Sequence, residues 1–131
     1  MQEQRRQVSV ADLGLRVDPD AAEPPFEQVR DQVAALVATG RLLPGDRLPT
    51  VRGLAAALGL AANTVARAVK ELEAEGLVTT GGRAGTTVAA GEHTAAVGLS
   101  VLAAGFAAAV RDAGVTDDAA LVLVRDALRD R

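Results

Sequence analysis

Apolar side chains recur along this chain at intervals of three and four, in blocks separated by glycine and proline, and that spacing predicts a mainly helical fold. Phe26, Val29, Val33, Leu36 and Val37 make the first strong stripe, which Thr39-Gly40 and then Pro44-Gly45 bring to a stop. A second, short helix opens at Thr50, whose hydroxyl suits the free amides of a first turn. It points Val51, Leu54, Ala55 and Leu58 inward and ends at Gly59. The third runs from near Ala62 to Glu75, with Val65, Ala68, Val69 and Leu72 inward and Asn63, Thr64, Arg67, Lys70 and Glu71 outward. Two short helices joined by a tight glycine-containing turn fit the helix-turn-helix pattern.

Beyond Gly76 the residue preferences change. Leu77-Val78-Thr79-Thr80 and Thr86-Thr87-Val88 favour strand, and the Gly82-Arg83-Ala84-Gly85 link reads as a hairpin loop, so a small wing follows the helices. Residues 1–25 are polar and broken by Pro19, Pro24 and Pro25. They read as a weakly ordered arm in which "LRVD" at 15–18 is the strand-favouring piece. In the tail, Leu99, Leu102, Phe106 and Ala109 with Val110 predict a helix over 95–113 that Gly114 stops. A last helix starts at Thr116, carries Asp117 and Asp118 in its first turn and presents Leu121, Val124 and Leu128. The expected architecture is mainly α with one small β-hairpin: an arm over 1–25, a winged helix-turn-helix domain over 26–90, and a two-helix dimerisation region over 91–131.

Composition narrows the chemistry. With 49% apolar residues in 131, the chain has the material for a core. The absence of cysteine excludes a disulfide framework and thiolate metal ligation, and His93 is the only histidine, so it reads as a loop residue. No metal and no cofactor are expected, and a cytosolic compartment fits best. The opening "MQEQRRQVSVADLG" lacks a secretion-signal core, and no run approaches the ~20 apolar residues that span a bilayer, so no membrane partner is expected. There is no Gly-rich phosphate loop after a strand, nucleophile elbow or histidine pair, and capping explains Asp117-Asp118, so the reading is non-enzymatic.

Charge then changes the picture. The whole chain carries −3, but residues 40–89 hold 6 basic against 4 acidic groups while both flanks are net negative. Phosphate attraction acts within a Debye length of ~8 Å, so a local basic segment outweighs the total and DNA stays open as a partner.

The segment from "PPFEQVRDQVAALVATGRLLPGDRLPTVRGLAAALGLAANTVARAVKELEAEGLV" through "GGRAGTTV", residues 24–88, resembles the winged helix-turn-helix domain of GntR-family bacterial transcription regulators. The resemblance implies specific roles. Arg47 matches a position that meets the DNA backbone, and Thr50 and Arg52 match the "S/T-x-R" that opens the second helix, where a capped N-terminus itself favours phosphate. Asn63, Thr64 and Arg67 fall where the family enters the major groove. Arg83, Gly85 and Thr86 match the "R-G-x-G-T" tip of the wing. Arg67 is the candidate base reader, because arginine pairs bidentately with guanine. Lys70 adds to the basic outward row.

Two positions depart from the commoner family pattern. Ala66 stands where many members have arginine, which moves the arginine to 67 as in the "N-T-V-x-R-A" of YtrA-like members. Ala61 stands where many have a capping serine, a loss of ~1 kcal/mol unless Asn63 or water compensates. The short tail also resembles YtrA-like members, since about 40 residues after the wing are too few for a metabolite-binding domain. Its helices cannot bury their apolar faces alone. Small residues at Ala103, Ala104, Gly105, Ala107 and Ala108 would admit another helix, either the protein's own first helix or a second copy. The expected outcome is a homodimer through Leu99, Leu102, Phe106, Val110, Leu121, Val124 and Leu128, whose two-fold symmetry matches a palindromic operator. The implied function is operator binding and repression. The alternative is a winged-helix interaction module without specific DNA binding. A small-molecule effector, of unknown identity, would have to sit between tail and winged domain.

Overall fold

The computed structural model describes residues 6–81, 85–90 and 94–130. Along the described chain run α1 (Val10–Leu13), α2 (Pro25–Ala38), α3 (Val51–Leu58), α4 (Ala62–Ala74), β1 (Val78–Thr80), β2 (Thr86–Val88), α5 (Thr94–Ala113) and α6 (Asp117–Arg129). The core forms where α2 crosses α4 over α3 and the hairpin. Val29, Val33, Val65, Leu72, Leu77 and Val78 are fully enclosed there. Each contributes ~1.5–3 kcal/mol of burial, and together they fix how α4 is presented.

Local chemistry sets the boundaries. Pro25 occupies the first turn of α2, where its missing N–H costs nothing. Thr50 accepts the Gly53 N–H at 3.0 Å and caps α3, and Gly59 at φ 69° ends it in the left-handed region. α4 starts at Ala61 without a side-chain cap, so Asn63 does not replace the missing serine. The hairpin pairs β1 and β2 antiparallel with Val78 opposite Val88 and Thr80 opposite Thr86. Thr79 and Thr87 bond across it at 2.9 Å, and Glu73 accepts from the Thr80 N–H at 3.2 Å, tying the hairpin to the end of α4.

The N-terminal arm is more ordered than its sequence suggests. Ser9 and Asp12 form a reciprocal capping box around α1, and Gly14 at φ 59° closes it. Val8 and Leu13 are buried in the main core. Residues 15–18 are not a strand. Gln28 and Gln32 of α2 bond them instead: the Asp18 N–H donates to Gln28 Oε1 at 2.8 Å and the Arg16 N–H to Gln32 Oε1 at 3.0 Å. Side-chain amides here do the work of a neighbouring strand, and alternation in the arm alone does not reveal them.

The tail also differs. α5 lies along α2, with Val97 and Val101 against the core and Gly98 at the crossing. A Cβ on Gly98 would lie 2.7 Å from Ala38 Cβ and 3.0 Å from the Ala34 carbonyl oxygen. The close approach is thus at Gly98; Ala103, Ala104 and Gly105 stay exposed. Within α5 the stretch Ala96–Ala113 is, by length and composition only, apolar enough to cross a membrane, contrary to the expectation that no run comes near. Its contact with α2 runs along one side, and only 11% of the stretch is buried.

Candidate nucleic-acid interface

The turn between α3 and α4 closes through the Leu60 N–H, which donates to the Ala55 carbonyl at 2.9 Å. It holds the two helices at a fixed crossing over Leu54, Ala55, Val65 and Ala68, all buried. α4 therefore turns one face wholly outward. Asn63, Arg67 and Lys70 are exposed along it and Thr64 is half-buried beside them. Arg52 is exposed on the first turn of α3, next to the capping Thr50.

Arg67 is not a loose side chain. Its guanidinium lies 3.7 Å from the ring centroid of Phe26 on α2, and its Nε is 3.5 Å from Glu71 one turn along α4. Glu71 in turn pairs with Arg30 of α2, whose Nε donates to Asp31 at 3.0 Å. Burial alone would depress the Arg30 pKa, but its bonds to Glu71 and Asp31 outweigh that and raise it above the ordinary value.

Arg47 is anchored by its backbone. Its N–H donates to the Arg6 carbonyl and its carbonyl accepts from Val8, both at 2.8 Å, and it bridges to Thr87 on β2. Its buried Nε has no hydrogen-bond partner among the described residues. Asp46 next to it is buried, accepts from the Leu43 N–H at 2.8 Å and pairs with Arg6 at 2.6 Å. At the wing, Gly85 adopts φ 67° and Thr86 is half-buried at the start of β2. Arg83 and His93 lie outside the described residues. Sequence reasoning missed Phe26 and Arg30 as supports for Arg67 and its partner Glu71, and Arg6 as the partner of Asp46, because those pairings join distant segments; the Arg67–Glu71 pair is an i,i+4 spacing that the helix itself offers.

The tail residues divide. Val110 is buried with Ala120 near the α5–α6 junction and Leu102 is half-buried. Leu99, Phe106, Leu121, Val124 and Leu128 remain exposed, the three leucines at 55–57%, and so do Val122 and Leu123. Folding back on α2 thus uses one side of α5 and leaves the predicted apolar residues largely uncovered. A cavity of about 440 Å³ opens between α2, the end of α4 and α5, lined by Glu23, Arg30, Asp31 and Glu75 on one side and Val97, Val101 and Ala104 on the other.

Residues 25–88 match the gntR family of bacterial regulatory proteins. The HTH-type transcriptional regulator Rv1152 of Mycobacterium tuberculosis is 47% identical over 82% of this chain and 88% of its own length. The chain belongs to the GntR family. Within it, the chain is YtrA-like. The HTH-type transcriptional repressor YtrA of Bacillus subtilis is 39% identical over 63% of this chain and 64% of its own length. Among solved structures, YtrA from Sulfolobus acidocaldarius, described as a GntR-family transcription factor, is similar with a TM-score of 0.57 and 31% identity, over 69% of this chain and 95% of that one. The described α3, α4 and hairpin are the winged helix-turn-helix of this GntR protein, with further helices after it. It is a DNA-binding transcription regulator of a non-enzymatic family.

Proposed function

We propose that this GntR protein is a repressor that binds a palindromic operator as a homodimer. The observation that carries this reading is the outward face of α4, where Asn63, Arg67 and Lys70 stand exposed together above a rigid core. Arg67 reads a base edge, and Asn63 and Thr64 add donors in the same groove. Arg47, Thr50, Arg52 and Lys70 hold phosphates, and the wing contributes Arg83, Gly85 and Thr86. The part given to Arg47 rests on the family position it matches, with its backbone fixed between the arm and β2. An interaction module that had abandoned DNA would have no use for this set.

The exposed Leu99, Phe106, Leu121, Val124 and Leu128 support a second copy docking on the tail, because this many large apolar side chains left open on two neighbouring helices mark an interaction site. On this reading the arm over 1–25 joins the winged domain over 26–90, and 91–131 dimerises. Repression follows the naming of the B. subtilis relative, and the protein works in the cytoplasm, where its DNA is. The cavity between α2 and α5 is the place for an effector, which acts by binding one spacing of the two recognition helices better than the other.

The test is a titration of operator and single-base variants. Arg67→Ala should flatten preference at one position of each half-site. Arg52→Ala should weaken all sites alike and reduce the salt slope by about 1. Unchanged relative affinities for Arg67→Ala would remove that residue from base reading.

A further inference from the structure

We infer that Phe26 and Glu71 are positioning residues for sequence reading, because they hold the Arg67 guanidinium in one orientation before DNA arrives; this rests on Arg67 being the base reader. Four side chains make the device. Phe26 and Arg30 lie one turn apart on α2, and Arg67 and Glu71 lie one turn apart on α4. The two helices are joined at each end of this square. Arg67 lies over the Phe26 ring with 3.7 Å to its centroid, and Arg30 pairs with Glu71. The second oxygen of Glu71 faces Arg67 Nε at 3.5 Å, and Asp31 holds Arg30 from behind at 3.0 Å.

The geometry suits reading rather than sequestering. Stacking on a ring occupies the flat face of a guanidinium and leaves its in-plane N–H edge free, and that edge is what meets guanine O6 and N7. Glu71 faces Nε at 3.5 Å, and the Arg67 side chain is still 63% exposed, which leaves it accessible to a base. An unsupported arginine would lose rotamer freedom on binding any base, right or wrong. A supported one has lost it already, so a mismatched base meets donors that cannot swing away. Phe26 thereby influences specificity without touching DNA.

The experiment selects preferred sites from a randomised duplex library with the parent protein. It then measures affinities for the best site and its single-base variants at two salt concentrations. Phe26→Leu should lower the preference ratio at the Arg67 position about two- to fivefold, with the salt slope unchanged. Phe26→Tyr should keep the ratio. Phe26→Leu should have no further effect on it in an Arg67→Ala background. Glu71→Gln, which keeps Phe26, should also lower the ratio and serves if Phe26→Leu misfolds. A ratio lost in Arg67→Ala but kept in both Phe26→Leu and Glu71→Gln overturns the positioning role alone. A ratio kept in Arg67→Ala overturns the base-reading assignment and the positioning role with it.

Discussion

At the scale of single residues, the DNA contact proposed for Arg47 and the stability of the fold pull against each other. A buried donor without a partner costs ~1–3 kcal/mol, so Arg47→Met, which keeps the stem and deletes the guanidinium, should leave stability unchanged or raise it by up to about 1 kcal/mol. The same variant should lose affinity for every DNA sequence alike. Denaturant unfolding and shift assays on one preparation check both halves, and a large loss of stability would mean that the guanidinium has a structural partner. Glu23 shows a quieter conflict. Burial and the neighbouring Asp31 carboxylate raise its pKa above the ordinary value. A raised carboxylate pKa favours the folded state below the usual carboxylate range, and that benefit is lost as pH rises through the folded value. Glu23→Gln should therefore melt slightly higher than the parent at neutral pH, with the difference shrinking toward acid. A parent that melts higher at neutral pH would contradict this sign.

The helices show how much can be read locally. Thr50 and Gly59 bound α3 as their chemistry dictates, and Thr116 caps α6 by accepting the Ala119 N–H at 3.2 Å. Thr50→Ala should cost ~1 kcal/mol by unfolding, because one first-turn amide loses its acceptor. α5 is different. Its sequence is a long alanine-rich run in which many small residues look equivalent, and only the crossing with α2 singles out Gly98. Gly98→Ala places a methyl against Ala34 and Ala38, and overpacking of this kind costs ~1–3 kcal/mol. It should lower Tm and loosen α5, seen as faster amide exchange along α2 and α5, whereas Gly105→Ala, with nothing within 4 Å, should be neutral or stabilising. Equal effects at the two glycines would show that the α2–α5 contact contributes little.

For the whole molecule, the exposed apolar residues of the tail are the surface that tests the proposed dimer. Leu121→Asp with Val124→Asp puts charges on an exposed surface, so the fold should survive while the proposed dimer dissociates. Tethering of two half-sites is then lost, and operator affinity should fall by ~10²-fold or more. Sedimentation and circular dichroism of the double variant decide the matter, and an unchanged sedimentation coefficient with unchanged affinity would move the interface elsewhere. Because α5 also covers α2, such surface substitutions test the assembly more cleanly than deletion of the tail.

Periodicity, caps and glycine stops are interactions between residues a few positions apart, so the sequence by itself determined α2, α3, α4, the hairpin and the two tail helices. The outward row of α4 was legible for the same reason, since a helix face is a matter of spacing. Tertiary structure decided what depends on distant segments meeting. It brought Val8 and Leu13 into the core, gave residues 15–18 glutamine partners in place of a strand, and laid α5 on α2 through Gly98. It also set Phe26, Arg30 and Glu71 around Arg67. The Arg67–Glu71 pair is a matter of helix spacing, but nothing in local spacing encodes the other meetings: each depends on which surfaces remain uncovered once the helices have formed, and on the angle at which two of them cross.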